Sequence, residues 1–175
     1  MSRFFNVVAR GDLLLSVAIQ KTARCEVFEK IMKCITHIGD SHCIILFPFC
    51  LIFAGGRQFI SFGIIGLIAI FLSFLFTTSI KGYLARPRPK YLLRGETSRK
   101  GFFNEYAFPS GHTSAAFSVA VTLSFAFPQW QAIFFLMAAL VGYSRIFLGE
   151  HYPSDVMVGA IIGCIFTVTL FVVLT

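Results

Sequence analysis

The chain has 175 residues, enough for one domain, with 57% hydrophobic residues, 13% charged residues and 22 phenylalanines. A soluble domain of this size needs far more polar surface, so these fractions point to a protein built into a membrane. The formal net charge of +7 does not indicate nucleic acid, because no basic helix or aromatic platform stands apart from the apolar runs.

From Phe4 to about Lys33 the chain mixes apolar residues with Arg10, Asp12, Lys21, Arg24, Glu26, Glu29 and Lys30. That pattern suits helices lying in the interface or packed on a bundle. Val27, Phe28, Ile31, Met32 and Ile35 recur at helical spacing, and Gly39-Asp40 then punctuates the chain. The N-terminus lacks a signal-peptide pattern, so this segment is expected to remain in the mature protein.

Ile44 to Ala54 is apolar and reaches spanning length only if its helix begins near Asp40. After the tight Gly55-Gly56-Arg57 connection, Phe59 to Ile80 is the cleanest span. Lys81 to Phe108 is polar and basic and contains Pro87 and Pro89, which reads as an exposed loop. Its Arg86, Arg88, Lys90, Arg94, Arg99 and Lys100 suit anionic lipid headgroups.

Ser110 to Phe127 forms the next span, Pro128-Gln129 turns the chain, and Trp130 to Leu148 crosses back. A last helix covers Asp155 to Leu174, with Gly159 and Gly163 spaced for close helix contact. The expectation is an all-α fold, a polytopic transmembrane bundle of about five spans forming one domain over residues 1–175. Amphipathic helices occupy 1–40 and a basic active-site loop 81–109. Five crossings place that loop and Gly149–Ser154 on the same side. Cys25, Cys34, Cys43, Cys50 and Cys164 form no CxxC pair and read as small buried hydrophobes.

Three clusters share that membrane face. His151 and Asp155 are four apart, one helical face if the helix is continuous, and a carboxylate on one imidazole nitrogen leaves the other as a lone-pair donor. The plainer reading is a surface pair with Asp155 as a cap. Arg145 flanks the same bend. In the second cluster Ser110 is an N-cap after Pro109, and Gly111 lets a ligand approach the free amides of the helix start. His112 in that first turn has a proton to give, although a capped helix that merely begins with histidine is the simpler alternative.

In the third cluster, Lys81 ends a long apolar span, where a lysine alone would be read as snorkelling to the interface. Arg88, seven residues on, can clasp a phosphoryl group through two parallel hydrogen bonds. Together, three cations, a capped helix start, two histidines and an aspartate suit phosphoryl transfer. Asp40, Glu96 and Glu105 are scattered, so no carboxylate cluster for magnesium or zinc is evident. The residues alone do not decide which histidine attacks, though the pairing of His151 with Asp155 favours it.

These motifs resemble the type 2 phosphatidic acid phosphatase (PAP2) superfamily. Its signature is lysine, six residues, Arg-Pro; then Pro-Ser-Gly-His; then Ser-Arg, five residues, histidine, three residues, aspartate. Here it reads Lys81…Arg88-Pro89, Pro109-Ser110-Gly111-His112 and Ser144-Arg145…His151…Asp155, without departure. The resemblance implies a PAP2-like core with no metal or organic cofactor. It implies His151 as the nucleophile that forms a phosphohistidine, Asp155 as its orienter and His112 as the general acid. Lys81, Arg88 and Arg145 become a phosphate clamp, helped by Ser110 and Gly111.

The implied partners are a membrane lipid phosphate and the bilayer, with no nucleic acid and no obligate protein partner. Most lysines and arginines lie on the site face, which by the positive-inside rule would put it in the cytoplasm. Bacterial members of the family imply instead a multi-pass protein of the inner membrane acting on its outer side. Lys90, Arg94, Arg99 and Lys100 favour undecaprenyl diphosphate or phosphatidylglycerophosphate over phosphatidic acid, with lipid A as an alternative. A vanadate-dependent haloperoxidase would share the anion pocket but resembles a large soluble protein. A lipid transporter would grip phosphate without needing an oriented histidine.

Overall fold

The computed structural model describes residues 2–21, 25–94 and 106–175, with side chains from residue 10 onward except those of 93 and 94. Among the described residues eight α-helices run in chain order: α1 (Ser2–Lys21), α2 (Glu26–Ile38), α3 (Ser41–Phe53), α4 (Arg57–Leu84), α5 (Pro89–Arg94), α6 (Gly111–Ala126), α7 (Gln131–Phe147) and α8 (Pro153–Leu174). A 3-10 turn at Pro128–Trp130 joins α6 to α7. The fold is an all-α bundle centred on α6, which packs against α3, α4, α7 and α8.

Among the described residues three segments have the length and hydropathy to span a membrane, so five spans are not clearly shown: Arg57–Leu84, Pro128–Phe147 and Pro153–Leu174. The α2–α3 pair meets the same test only jointly, and it bends by 50° at Gly39-Asp40. At 16 residues α6 extends about 24 Å, short of the roughly 30 Å of hydrocarbon. Its polar residues explain why it differs from the others. Thr113, Ser114, Ser118 and Thr122 are fully buried, and a helix sheathed by protein need not present apolar residues to lipid.

Sequence hydropathy does not separate lipid from protein as apolar surroundings, and the cysteines show this. Cys25, Cys34, Cys43 and Cys50 are exposed and Cys164 is partly so, rather than buried as expected. On α3 the neighbouring Ile45, Leu46, Phe47 and Phe49 are exposed too, because α3 stands at the edge of the bundle. Apolar residues there face the bilayer.

The α6–α8 contact is the tightest in the core. A Cβ at Gly159 would fall 2.5 Å from the carbonyl oxygen of Ser110, and one at Gly163 2.2 Å from that of Ser114. Backbone approaches backbone, which only glycine permits. At the far end of the bundle Phe171 of α8 stacks on Phe125 of α6 with centroids 4.1 Å apart, and Phe62 of α4 meets Phe171 edge-on at 5.2 Å. Such ring pairs add about 0.5–1.5 kcal/mol each beyond their buried area.

Helices α1 and α2 lie over the other end. On α1, Asp12 and Ser16 are buried while Leu14 and Leu15 are exposed. A helix that is polar inward and apolar outward has lipid, not water, on its free face. On α2, Phe28 meets the ring of Phe147 and Thr36 meets Arg145, so residues eight apart on α2 reach residues two apart on α7.

Candidate active site

Four helix ends meet beneath α1 and α2: the C-terminal ends of α4 and α7 and the N-terminal ends of α6 and α8. Each supplies residues of the three sequence clusters. Lys81 comes from the last turn of α4 and Arg145 from that of α7. Ser110 caps α6, its side chain accepting from the amide of Thr113 at 3.4 Å. This leaves the amides of Gly111 and His112 at the helix start, where no preceding turn supplies carbonyls. A Cβ on Gly111 would lie 3.9 Å from Lys81 Nζ, so the ammonium sits over that first turn.

Lys81, Arg88, Gly111, His112 and His151 line one cleft of 680 Å³. Arg145 stands just behind it, 10% exposed, and donates from Nη1 to Thr36 Oγ1 at 2.9 Å. Its buried Nε has no hydrogen-bond partner among the described residues. Ser110 and Asp155 are fully buried below the cleft, and the Ser110 amide donates to the Asp155 carbonyl at 3.0 Å. The segment before Ser110 is fixed by backbone pairing. Pro87 bridges Tyr106, and Ala107 N–H donates to the Arg86 carbonyl at 2.8 Å.

That pairing determines the state of His151. Its Nδ1 donates to the Ala107 carbonyl, which leaves the Nε2 lone pair for chemistry. Burial first, and then the positive charges of Arg145, Arg88 and Lys81, hold the His151 pKa well below the ordinary histidine value. The imidazole is therefore neutral.

The expected hydrogen bond between His151 and Asp155 is absent; Nδ1 and Oδ2 are 4.0 Å apart. Helical spacing does not relate the two residues, because α8 begins at Pro153 and His151 belongs to the preceding turn. Asp155 Oδ2 instead accepts from the Tyr152 amide at 2.7 Å, and Oδ1 from Arg86 Nη1 at 2.6 Å. It caps its own helix and binds Arg86.

Residues outside the three motifs complete the surroundings. Asp40 Oδ1 lies 3.0 Å from His112 Nε2. Glu150 Oε1 accepts from Lys90 Nζ at 2.8 Å, and Oε2 sits against Arg88. Arg86 also donates to Asp12 at 2.8 Å. The only signal for these in the chain is the Arg86-Pro87-Arg88-Pro89 repetition; Asp12 and Asp40 become partners only through folding. The side chains of Arg94, Arg99 and Lys100 lie outside the described residues. Among the described residues no three His, Cys, Asp or Glu side chains gather where a metal ion could be held.

Known proteins share this fold. The structure of Aquifex aeolicus LpxE superposes with a TM-score of 0.74 at 32% identity, over 91% of this chain and 93% of that one. A PAP2-type phosphatidylglycerolphosphate phosphatase from Bacillus subtilis shares the fold with a TM-score of 0.75 at 24% identity, over 96% and 86% of the two chains. In sequence, a lipid A 1-phosphatase of Rhizobium etli is 27% identical over 90% of this chain and 76% of its own length. An undecaprenyl-diphosphatase of Sulfolobus acidocaldarius is 38% identical over 43% of this chain and only 34% of its own length. The family model for the PAP2 superfamily matches residues 62–175, from α4 to the C-terminus and through every signature residue. The chain is a multi-pass membrane protein of the PAP2 superfamily.

Proposed function

We propose that the protein is a membrane phosphatase that cleaves phosphate from a lipid through a phosphohistidine on His151. The observation that carries this reading is the shape of the cleft. Its polar head holds Lys81, Arg88, His112 and His151, and its body continues between α3 and α4 past Phe74, Ile70, Ile45 and Leu67. Leu67 to Lys81 is fourteen residues of α4, about 21 Å at helical rise. Phe71, Phe74 and Ile45 are exposed beside it, so the slot opens sideways towards the bilayer. A hydrocarbon tail in the slot brings its phosphate to the cations.

The steps follow from the residues present. Lys81, Arg88 and Arg145, with the first-turn amides of α6, neutralise the phosphoryl oxygens. His151 Nε2 attacks phosphorus, the bond to the lipid oxygen breaks, and His112 gives that oxygen its proton. Water then attacks phosphorus, returns a proton to His112, and breaks the P–N bond to release phosphate and neutral His151. General-acid help of this kind is worth about 10²–10⁴-fold. Fixed cations supply the charge neutralisation, so no metal enters the reaction.

For the lipid, the basic loop favours undecaprenyl diphosphate or phosphatidylglycerophosphate. A lipid A phosphate is a second reading, supported by similarity to lipid A 1-phosphatases along most of both chains. We place the protein in a bacterial inner membrane with the site on its outer side. Phosphate release from vesicles carrying each of these lipids, and phosphatidic acid, tests the function and ranks the substrates. His151→Ala should reduce release to background. Undiminished release by that variant would sink the assignment, and lipid movement without hydrolysis would favour a transporter.

A further inference from the structure

The α2–α3 corner brings an acid to His112 that belongs to none of the signature motifs. Asp40 occupies the N-cap of α3 with extended φ and ψ of −71° and 149°, yet its side chain makes no cap hydrogen bond. An aspartate at that position ordinarily accepts from a first-turn amide, worth about 1 kcal/mol. Here Oδ1 lies 3.0 Å from His112 Nε2, and Oδ2 lies 2.7 Å from His37 Nδ1. Both carboxylate oxygens are committed to imidazoles. Gly39 makes the approach possible, since a Cβ there would fall 2.7 Å from Val141 Cγ1 and 3.4 Å from His112 Cδ2.

Building on the phosphatase reading, we propose that Asp40 is a positioning residue for His112, accepting its Nε2–H and presenting Nδ1 to the oxygen that leaves phosphorus. A carboxylate on one ring nitrogen fixes both the tautomer and the plane of the ring. It also supports the protonated imidazole that the first half-step consumes. Burial first, and then Arg145 from α7 and Lys81 from α4, lower the His112 pKa to about 4, and Asp40 opposes them only in part. In the first half-step the Nδ1 proton passes to the leaving oxygen as the P–O bond breaks. In the second, a proton of the attacking water returns to Nδ1 as the P–N bond breaks. Asp40 keeps its charge throughout.

The test compares leaving groups. A lipid alkoxide needs a proton as it departs, whereas 4-nitrophenolate does not. With full-length protein in detergent, Asp40→Asn should lower kcat by about 10- to 100-fold on the phosphomonoester lipid of the panel that the wild type hydrolyses fastest, with KM within about 3-fold. On 4-nitrophenyl phosphate the first-turnover burst of 4-nitrophenolate, which precedes the attack of water, should slow by less than about 3-fold. Asp40→Glu, which keeps the charge, should recover part of the lipid rate. Wild-type kcat on the lipid in Asp40→Asn, or a burst of 4-nitrophenolate slowed as much as the lipid rate, would overturn the proposal while leaving the phosphatase reading intact. A wild-type protein that hydrolyses no panel lipid would remove that reading and this inference together.

Discussion

Arg86 and Asp155 are joined by a 2.6 Å charge-assisted hydrogen bond, and the second guanidinium nitrogen of Arg86 reaches Asp12 of α1 at 2.8 Å. The guanidinium also lies 3.9 Å from the ring centroid of Tyr152. Asp12 in turn accepts from the Ser154 amide at 3.0 Å and from its hydroxyl. One arginine thus compensates two buried carboxylates and ties α1 to the start of α8. Removing one partner of a buried ion pair leaves the other charged and desolvated. Arg86→Ala is therefore expected to cost about 2–4 kcal/mol, seen as a lower midpoint of unfolding in detergent. Adding Asp12→Asn to it should cost less than the sum of the two single changes, because one unpaired charge disappears. Strict additivity would show that the two residues are not coupled.

The small-residue contact between α8 and α6 separates stability from chemistry. Gly159 faces the carbonyl of Ser110, the residue that caps α6, whereas Gly163 faces Ser114 one turn deeper. Alanine at either position forces the backbones apart, at about 1–3 kcal/mol. Only Gly159→Ala displaces the cap and the first-turn amides. Its turnover should fall about tenfold further than that of Gly163→Ala at a similar loss of melting temperature. Equal turnover in the two variants would remove the α6 amides from the site.

Local spacing made much of this arrangement readable, and folding at a distance made the rest unreadable. The start of α6 was legible because Pro109-Ser110-Gly111 is a cap written in consecutive residues. The convergence of Lys81, Arg88 and His151 followed from hydrophobic runs that return the chain to one face. Hydropathy could not distinguish α6, enclosed by protein, from α4, which faces lipid on one side. Asp40 and Asp12 gave no local sign of their roles, since their partners lie 72 and 74 residues away. His151 and Asp155 misled for the opposite reason: helical spacing was applied across a turn that ends before α8 begins.

Glu150 places a carboxylate among the cations assigned to phosphate. Its Oε2 touches Arg88 and lies 3.9 Å from Arg145 Nη2, and its other oxygen holds Lys90. A phosphate arriving at Arg88 and Arg145 must share them with this negative charge. Glu150→Gln should thus strengthen inhibition by inorganic phosphate, by about 5- to 20-fold, since even a screened charge at such distances is worth 1 kcal/mol or more. The inhibition constant for phosphate, measured at fixed lipid concentration, checks this. Weaker inhibition in the variant would mean that Glu150 serves to hold Arg88 in place.

The neutrality of His151 has a consequence for acid stability whose sign is fixed. The ring is 1% exposed, and burial together with Arg145, Arg88 and Lys81 holds its pKa well below that of an unfolded histidine, with the Ala107 carbonyl pulling weakly the other way. Above about pH 6.5 neither the folded nor the unfolded chain protonates this ring, and the group adds no pH dependence. Below that value the unfolded chain takes up a proton that the folded one refuses, so stability falls as the pH falls. The slope approaches about 1.4 kcal/mol per pH unit for one proton, and it persists until the depressed folded pKa is reached. His151→Gln cannot take up that proton. Unfolding midpoints of the two proteins between pH 7 and pH 5 should therefore diverge, the wild type losing stability faster on acidification. Parallel curves would mean that the folded protein protonates His151 as readily as the unfolded chain does, so that the fold does not hold the ring neutral.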